Sequence, residues 1–234
     1  MKYKAVIFDL FGTLTCYLSF REYETVLRKM ASVVSAPEDS FIRLWNDTFD
    51  RQMKGDFRND QVIIRNICHE LNVPVEYEQI NRAVQMKLDS VKRDITRLRS
   101  DAVDVLVYLK SENYKTGLIS NCSHETPILW KEVPLVSVAM LVDVAVFSCL
   151  EGTMKPDPRI YQIAAEQLGV EPKDCLYIAD GIGGELESAA QIGMYPVQLR
   201  VIGEDHDDDP YHEDWDGPVI SSLKEVLTLV NEME

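Results

Sequence analysis

The stretch Ala5-Val6-Ile7-Phe8-Asp9-Leu10-Phe11-Gly12-Thr13-Leu14 ("AVIFDLFGTL", residues 5–14) decides how the chain is read. Four consecutive apolar residues are what a strand buried on both faces of a parallel sheet requires. The run delivers Asp9 onto a turn containing Gly12 and Thr13, so a carboxylate stands at the end of a core strand.

Beyond residue 100 the apolar pattern alternates between the two periods. Ala102, Val105, Leu106 and Leu109 make a helical stripe followed by the strand "KTGLIS" (115–120). Ile160, Ile163, Ala164 and Leu168 make another, followed by "CLYIA" (175–179). Further strands are expected at "DVAVFS" (143–148), "YPVQLRV" (195–201) and "PVI" (218–220), with a last helix from about Ser221. This alternation predicts an α/β fold, a doubly wound parallel sheet covered by helices on both faces. Residues 16–98 instead carry three- and four-residue apolar spacing with no strand between helices, as in "YETVLRKMASVV" and "QINRAVQMKLDSVKR". The expected organisation is an α/β core of residues 1–15 and 99–234 and a helical insertion, 16–98, placed over the carboxyl ends of the strands.

Composition narrows the function. At 234 residues and 46% hydrophobic content the chain can bury a sizeable core. The formal charge of −15 disfavours nucleic acid and anionic membranes, which demand a basic surface. No apolar run reaches the roughly eighteen residues of a membrane helix, and the first residues lack signal-peptide character, so a cytoplasmic location is expected. The five cysteines are odd in number and form no C-x-x-C pair; they are read as reduced thiols, Cys122 as a packing residue. The acidic run "GEDHDDDPYHEDWDGP" (203–218) has no EF-hand spacing and is read as a solvated loop. The partner implied is a small molecule.

Four short segments fall at or just beyond strand ends: Asp9 in "DLFGT", Ser120 and Asn121 in "LISN", Lys155 in "MKPDPRIY", and Asp180 with Glu185 in "YIADGIGGELESA". In a parallel sheet such ends converge on one crevice. Together, in this order, they resemble the haloacid dehalogenase-like (HAD) superfamily, with its Rossmann-like core and a helical cap inserted between the first two motifs. The resemblance implies that Asp9 is a nucleophile assisted by Lys155. It implies that Phe11, Thr13, Ser120, Asn121 and Lys155 face the substrate. It also implies that Asp9, the backbone carbonyl of Phe11, Asp180 and Glu185 surround Mg²⁺. Charge counting agrees for a phosphorylated substrate: three carboxylates and a phosphate dianion oppose one lysine, at about 4 kcal/mol per contact pair. A cation removes that objection. The expected activity is hydrolysis of a small phosphate ester through an aspartyl-phosphate on Asp9.

One position departs from the pattern. Phosphatases of the superfamily place a second aspartate two residues after the nucleophile to protonate the leaving group, and here Phe11 occupies that place. The 2-haloacid dehalogenases resemble this chain there, but they replace the motif-four acid and grip the substrate carboxylate with a cap arginine, for which Arg43 or Arg51 are candidates. A Schiff-base lysine, by type Lys29, Lys54 or Lys87, is a third possibility, and His69 is a candidate proton donor. A weakly active relative that binds a metabolite or protein partner completes the alternatives.

Overall fold

The computed structural model describes residues 3–17, 19–131, 136–204 and 214–231. The first strand, β1 (Ala5–Phe8), is buried along its whole length. Five helices follow: α1 (Phe20–Val33), α2 (Glu38–Asn46), α3 (Phe49–Met53), α4 (Asp60–Glu70) and α5 (Tyr77–Thr96). The chain then runs through α6 (Ala102–Ser111), β2 (Lys115–Ser120), α7 (Glu125–Leu129), α8 (Val136–Leu141), β3 (Val144–Phe147), α9 (Ser148–Glu151) and α10 (Pro158–Leu168). It ends with β4 (Cys175–Ala179), α11 (Glu185–Gln191), β5 (Tyr195–Leu199), β6 (Val219–Ile220) and α12 (Glu225–Asn231).

The six strands form one parallel sheet in the order β3-β2-β1-β4-β5-β6. Alternation along β1 sets the two faces: Val6 and Phe8 enter a cluster with Leu106, Leu109 and Val226 of α6 and α12. Ala5 and Ile7 enter the opposite cluster with Ile160, Ala164 and Leu186 of α10 and α11. The strand order reverses between β1 and β4, so their carboxyl ends open onto the crevice where ligands bind in such sheets. Asp9 and Asp180 follow these two strands directly.

Helices α1 to α5 have a buried cluster of their own, built on Leu27, Met30, Phe41, Trp45, Ile63, Ile64 and Ile80. Trp45 stacks on Phe41 at 6.1 Å and donates its indole N–H to the Tyr23 hydroxyl at 2.9 Å. The segments leading into and out of this layer pair with each other: Thr15 and Leu98 form an antiparallel bridge, flanked by Cys16 N–H to Arg97 O at 2.8 Å and Arg99 N–H to Leu14 O at 2.9 Å.

The last helix starts at Glu225, not at Ser221. The Glu225 carboxylate accepts the main-chain N–H groups of Ser221 and Ser222, which draws those residues into a turn ahead of the helix. Most of the acidic 203–218 run lies outside the described residues, but Glu204 is described and pairs with the buried Arg99. No helix among the described residues is long and apolar enough to cross a membrane.

Candidate active site

Asp9 remains on the sheet ladder, donating its main-chain N–H to Ile178 O at 2.9 Å, so its carboxylate leaves a rigid base. Lys155 meets it from the segment before α10. The ammonium donates to the Asp9 carboxylate, to Glu185 Oε2 at 2.6 Å and to the Tyr177 hydroxyl at 3.3 Å. Burial opposes a charged lysine here, yet Asp9 and Glu185 hold its pKa above the ordinary value. Burial raises the Asp9 carboxyl to about 6 against the pull of Lys155, with the negative Glu185 adding to the rise.

Glu185 is fully engaged by protein donors. Its Oε1 accepts the N–H groups of Gly181 and Ile182 at 3.1 and 3.2 Å; its Oε2 accepts the Tyr177 hydroxyl at 2.8 Å as well as Lys155. Burial acts to raise its pKa, but Lys155, Tyr177 and Gly181 together hold it low. Direct ligation of a cation by Glu185 would require giving up one of these bonds. Asp180 is the opposite case. It is buried, its Oδ2 has no hydrogen-bond partner among the described residues, and burial with the charges of Glu185 and Asp9 pushes its pKa well up.

Gly12 gives Asp180 its room. Its φ of +79° suits glycine, and a Cβ there would stand 2.0 Å from Asp180 Oδ2. Two further buried hydroxyls, Thr13 Oγ1 and Ser120 Oγ, also lack partners among the described residues. Unsatisfied buried polar atoms are costly, and here three sit at or beyond the carboxyl ends of the adjacent strands β2, β1 and β4. The donor set is all oxygen, which fits a hard cation such as Mg²⁺ beside an oxyanion. Phe11 supplies no proton donor; its half-buried ring packs on the cluster of Leu10 and Leu14.

Other residues hold the constellation in place. Asn121 does so with both ends of its amide: Nδ2 donates to Lys155 O, and Oδ1 accepts Lys155 N–H, each at 2.8 Å. Its side chain therefore fixes the lysine segment. Arg99 was not singled out by its sequence context. Its guanidinium donates to Gly12 O at 2.6 Å and Thr13 O at 2.9 Å, and pairs with Glu204 at 2.7 Å. Tyr177 carries no sequence signal of its role either, because a tyrosine in an apolar strand reads as packing.

The helical layer meets this region through Lys87. Its buried ammonium lies 2.9 Å from carboxylate oxygens of both Asp60 and Glu125, and 3.4 Å from Ser123 Oγ, just beyond Ser120 and Asn121. Burial opposes its charge, but the two carboxylates hold its pKa above the ordinary value, so Lys87 is a paired cation and not a free amine for a Schiff base. Lys29 and Lys54 are exposed. Asp60, Glu125 and His124 lie close enough to hold a cation, but the Lys87 ammonium already serves the two carboxylates. Arg43 and Arg51 make exposed pairs with Asp47 and Asp56, and His69 is exposed at the end of α4.

Residues 3–193 match the family model of the haloacid dehalogenase-like hydrolases. The chain belongs to this family. It is 29% identical over 210 residues to phosphatase MT3486 of Mycobacterium tuberculosis, covering 88% of this chain and 92% of that protein. It is 26% identical over 211 residues to the (S)-2-haloacid dehalogenase of Pseudomonas fluorescens, covering 83% and 82%. A 57-residue stretch is 40% identical to mouse acyl-CoA dehydrogenase family member 10, 24% of this chain and only 5% of that protein. The fold is similar to HAD family enzyme bt-2542 of Bacteroides thetaiotaomicron, solved with magnesium and inorganic phosphate: TM-score 0.61, 19% identity, 87% of this chain and 97% of that one.

Proposed function

We propose that the protein is a Mg²⁺-dependent phosphatase acting on a small phosphate ester, with helices α1 to α5 as the cap over its crevice. The observation that carries the reading is that three buried atoms at or beyond the ends of neighbouring strands, Asp180 Oδ2, Thr13 Oγ1 and Ser120 Oγ, have no hydrogen-bond partner among the described residues. A carboxylate oxygen asks for a cation and two hydroxyls ask for acceptor oxygens, which a cation and a phosphoryl group would supply. Asp9, Asp180 and the Phe11 carbonyl would hold Mg²⁺, which neutralises charge on the phosphoryl oxygens.

The chain's own groups do the rest. Asp9 forms a bond to phosphorus as the ester oxygen departs, and water then cleaves the aspartyl-phosphate. Lys155 orients the Asp9 carboxylate and offsets the charge gathering beside it, while Thr13 and Ser120 donate to the transferring group. Glu185 keeps Lys155 charged and in place. The free thiols support a cytoplasmic setting.

A second reading, 2-haloacid dehalogenase, is favoured by Phe11, since halide departs without a proton donor. The paired, exposed state of Arg43 and Arg51 weighs against it. The test is inorganic phosphate release from a panel of phosphate esters, with and without Mg²⁺, beside halide release from 2-haloacids. Metal-dependent phosphate release that Asp180→Asn abolishes together with Mg²⁺ binding in calorimetry supports the proposal. Halide release without metal, or Mg²⁺ binding unaltered in Asp180→Asn, would overturn it.

A further inference from the structure

Cys16, Cys68, Cys122, Cys149 and Cys175 are widely separated, and no spacing among them announces a pair. The fold nevertheless brings two together. Cys122 follows the end of β2 and Cys149 follows the end of β3, and these strands are parallel neighbours with Ser120 in register with Phe147. The Ser148 hydroxyl ties the segments: it accepts Cys122 N–H at 2.9 Å and donates to Cys122 O at 3.3 Å. The two sulfurs stand 4.0 Å apart. A disulfide needs about 2.05 Å, so they must close by about 2 Å. Cys122 is buried, whereas Cys149 is partly exposed, at a seam where Gly55 of the helical layer rests on its main chain. A Cβ at Gly55 would fall 2.0 Å from Cys149 O.

We infer that Cys122 and Cys149 form a peroxide-oxidisable dithiol that closes into an intrachain disulfide beside Ser120. Cys149 is the attacking sulfur, being the more accessible. Its pKa is held below the ordinary thiol value by the hydrogen bond it accepts from Cys122, while burial pushes Cys122 well up. The Cys149 thiolate attacks one peroxide oxygen; the S–O bond forms, the O–O bond breaks, and the departing hydroxide takes up a proton as water. Cys149 is oxidised by two electrons to a sulfenic acid as the peroxide is reduced. Cys122 then loses its proton and attacks the Cys149 sulfur; the S–S bond forms, the S–O bond breaks, and the second hydroxide leaves as water. Two thiols and one peroxide become one disulfide and two waters. Asn121, between Ser120 and Cys122, carries the resulting pull to the main chain of Lys155.

The test treats the full-length protein with hydrogen peroxide and maps its thiols by mass spectrometry, a readout independent of the substrate. The expected result is a peptide joining Cys122 to Cys149, an intact mass lower by about 2 Da and reversal by dithiothreitol. Thiols titrated after denaturation should fall by two from five. Cys149→Ser, at a partly exposed position, should fold and lose the cross-link, whereas Cys16→Ser should keep it. A disulfide joining other cysteines, overoxidation of Cys149 with no cross-link, or an unchanged thiol count after both peroxide and diamide would overturn the inference.

Discussion

Gly12 and Asp180 touch across the crevice so closely that a Cβ on Gly12 would stand 2.0 Å from Asp180 Oδ2. Gly12→Ala therefore meets two obstacles, the positive φ and the carboxylate. A loss of roughly 1–3 kcal/mol is expected from the backbone strain alone. The variant should also lose any rise in melting temperature that Mg²⁺ gives the wild type. Thermal unfolding with and without Mg²⁺ checks both, and a wild-type melting temperature in the variant would contradict the packing described.

Lys155→Met removes the cation that, among the described residues, is hydrogen-bonded to both Asp9 and Glu185. Leaving buried carboxylates without their partner costs about 3–5 kcal/mol. The pKa values of both acids should then rise, so the deficit is greatest at high pH and shrinks on acidification, when the folded state can keep their protons. Urea unfolding at pH 5 and pH 8 measures it. A deficit that grows toward acid would mean that the lysine does not neutralise these groups.

Arg99→Lys keeps the charge but cannot reproduce a fork that reaches Gly12 O, Thr13 O and Glu204 at once. A loss of about 1–3 kcal/mol in stability is expected, visible as a lower urea midpoint. Arg99→Ala should lose more. Equal midpoints for wild type and both variants would show that the turn after Asp9 holds its shape unaided.

The Lys87 cluster makes stability depend on pH. Burial and the negative Glu125 raise Asp60 from 3.8 to about 7, so the folded state holds a proton that the unfolded chain has released. Asp60 therefore contributes stability fully below pH 3.8, and this is lost as the pH rises through about 7. Glu125, which burial pushes up but Lys87, Asp60, His124 and Ser123 together lower to about 2, acts oppositely: its contribution is present above 4.5 and lost as the pH falls through about 2. Between pH 5 and 8 only Asp60 titrates in this pair. Asp60→Asn should flatten the decline of melting temperature over that range, and parallel slopes would refute the assignment.

Phe11 sets the choice of leaving group if the phosphatase reading holds. General acid catalysis contributes about 10²–10⁴ in rate, so phenyl phosphates should be turned over faster than alkyl phosphates. Phe11→Asp should narrow that gap. Equal kcat for the two classes in the wild type would show that a donor acts from elsewhere.

What the sequence makes legible follows from range. The fully apolar β1 and the strand-terminal positions of Asp9, Ser120 and Asp180 announce a parallel sheet whose ends converge, because local pattern and topology suffice for that. Arg99 and the Lys87, Asp60 and Glu125 group were not legible, since each joins residues far apart through side-chain reach that no period encodes. The short helices α7, α8 and α9 are too brief to show a stripe. The Ser221 start was overridden by Glu225, whose carboxylate captures the serine N–H groups.

The central place of β1 also orders events at the ribosome. Its partners begin at Lys115 and Cys175, so the most apolar segment of the sheet emerges long before either neighbour exists. The helical layer between them is contiguous in sequence and carries its own buried cluster, so it can condense first. Its two connecting segments pair at Thr15 and Leu98, which shortens the effective loop between β1 and β2 from about a hundred residues to about twenty, 9–14 and 99–114. An insertion that looks like an interruption of the sheet thus brings the strand that leads into Asp9 to its partner during synthesis.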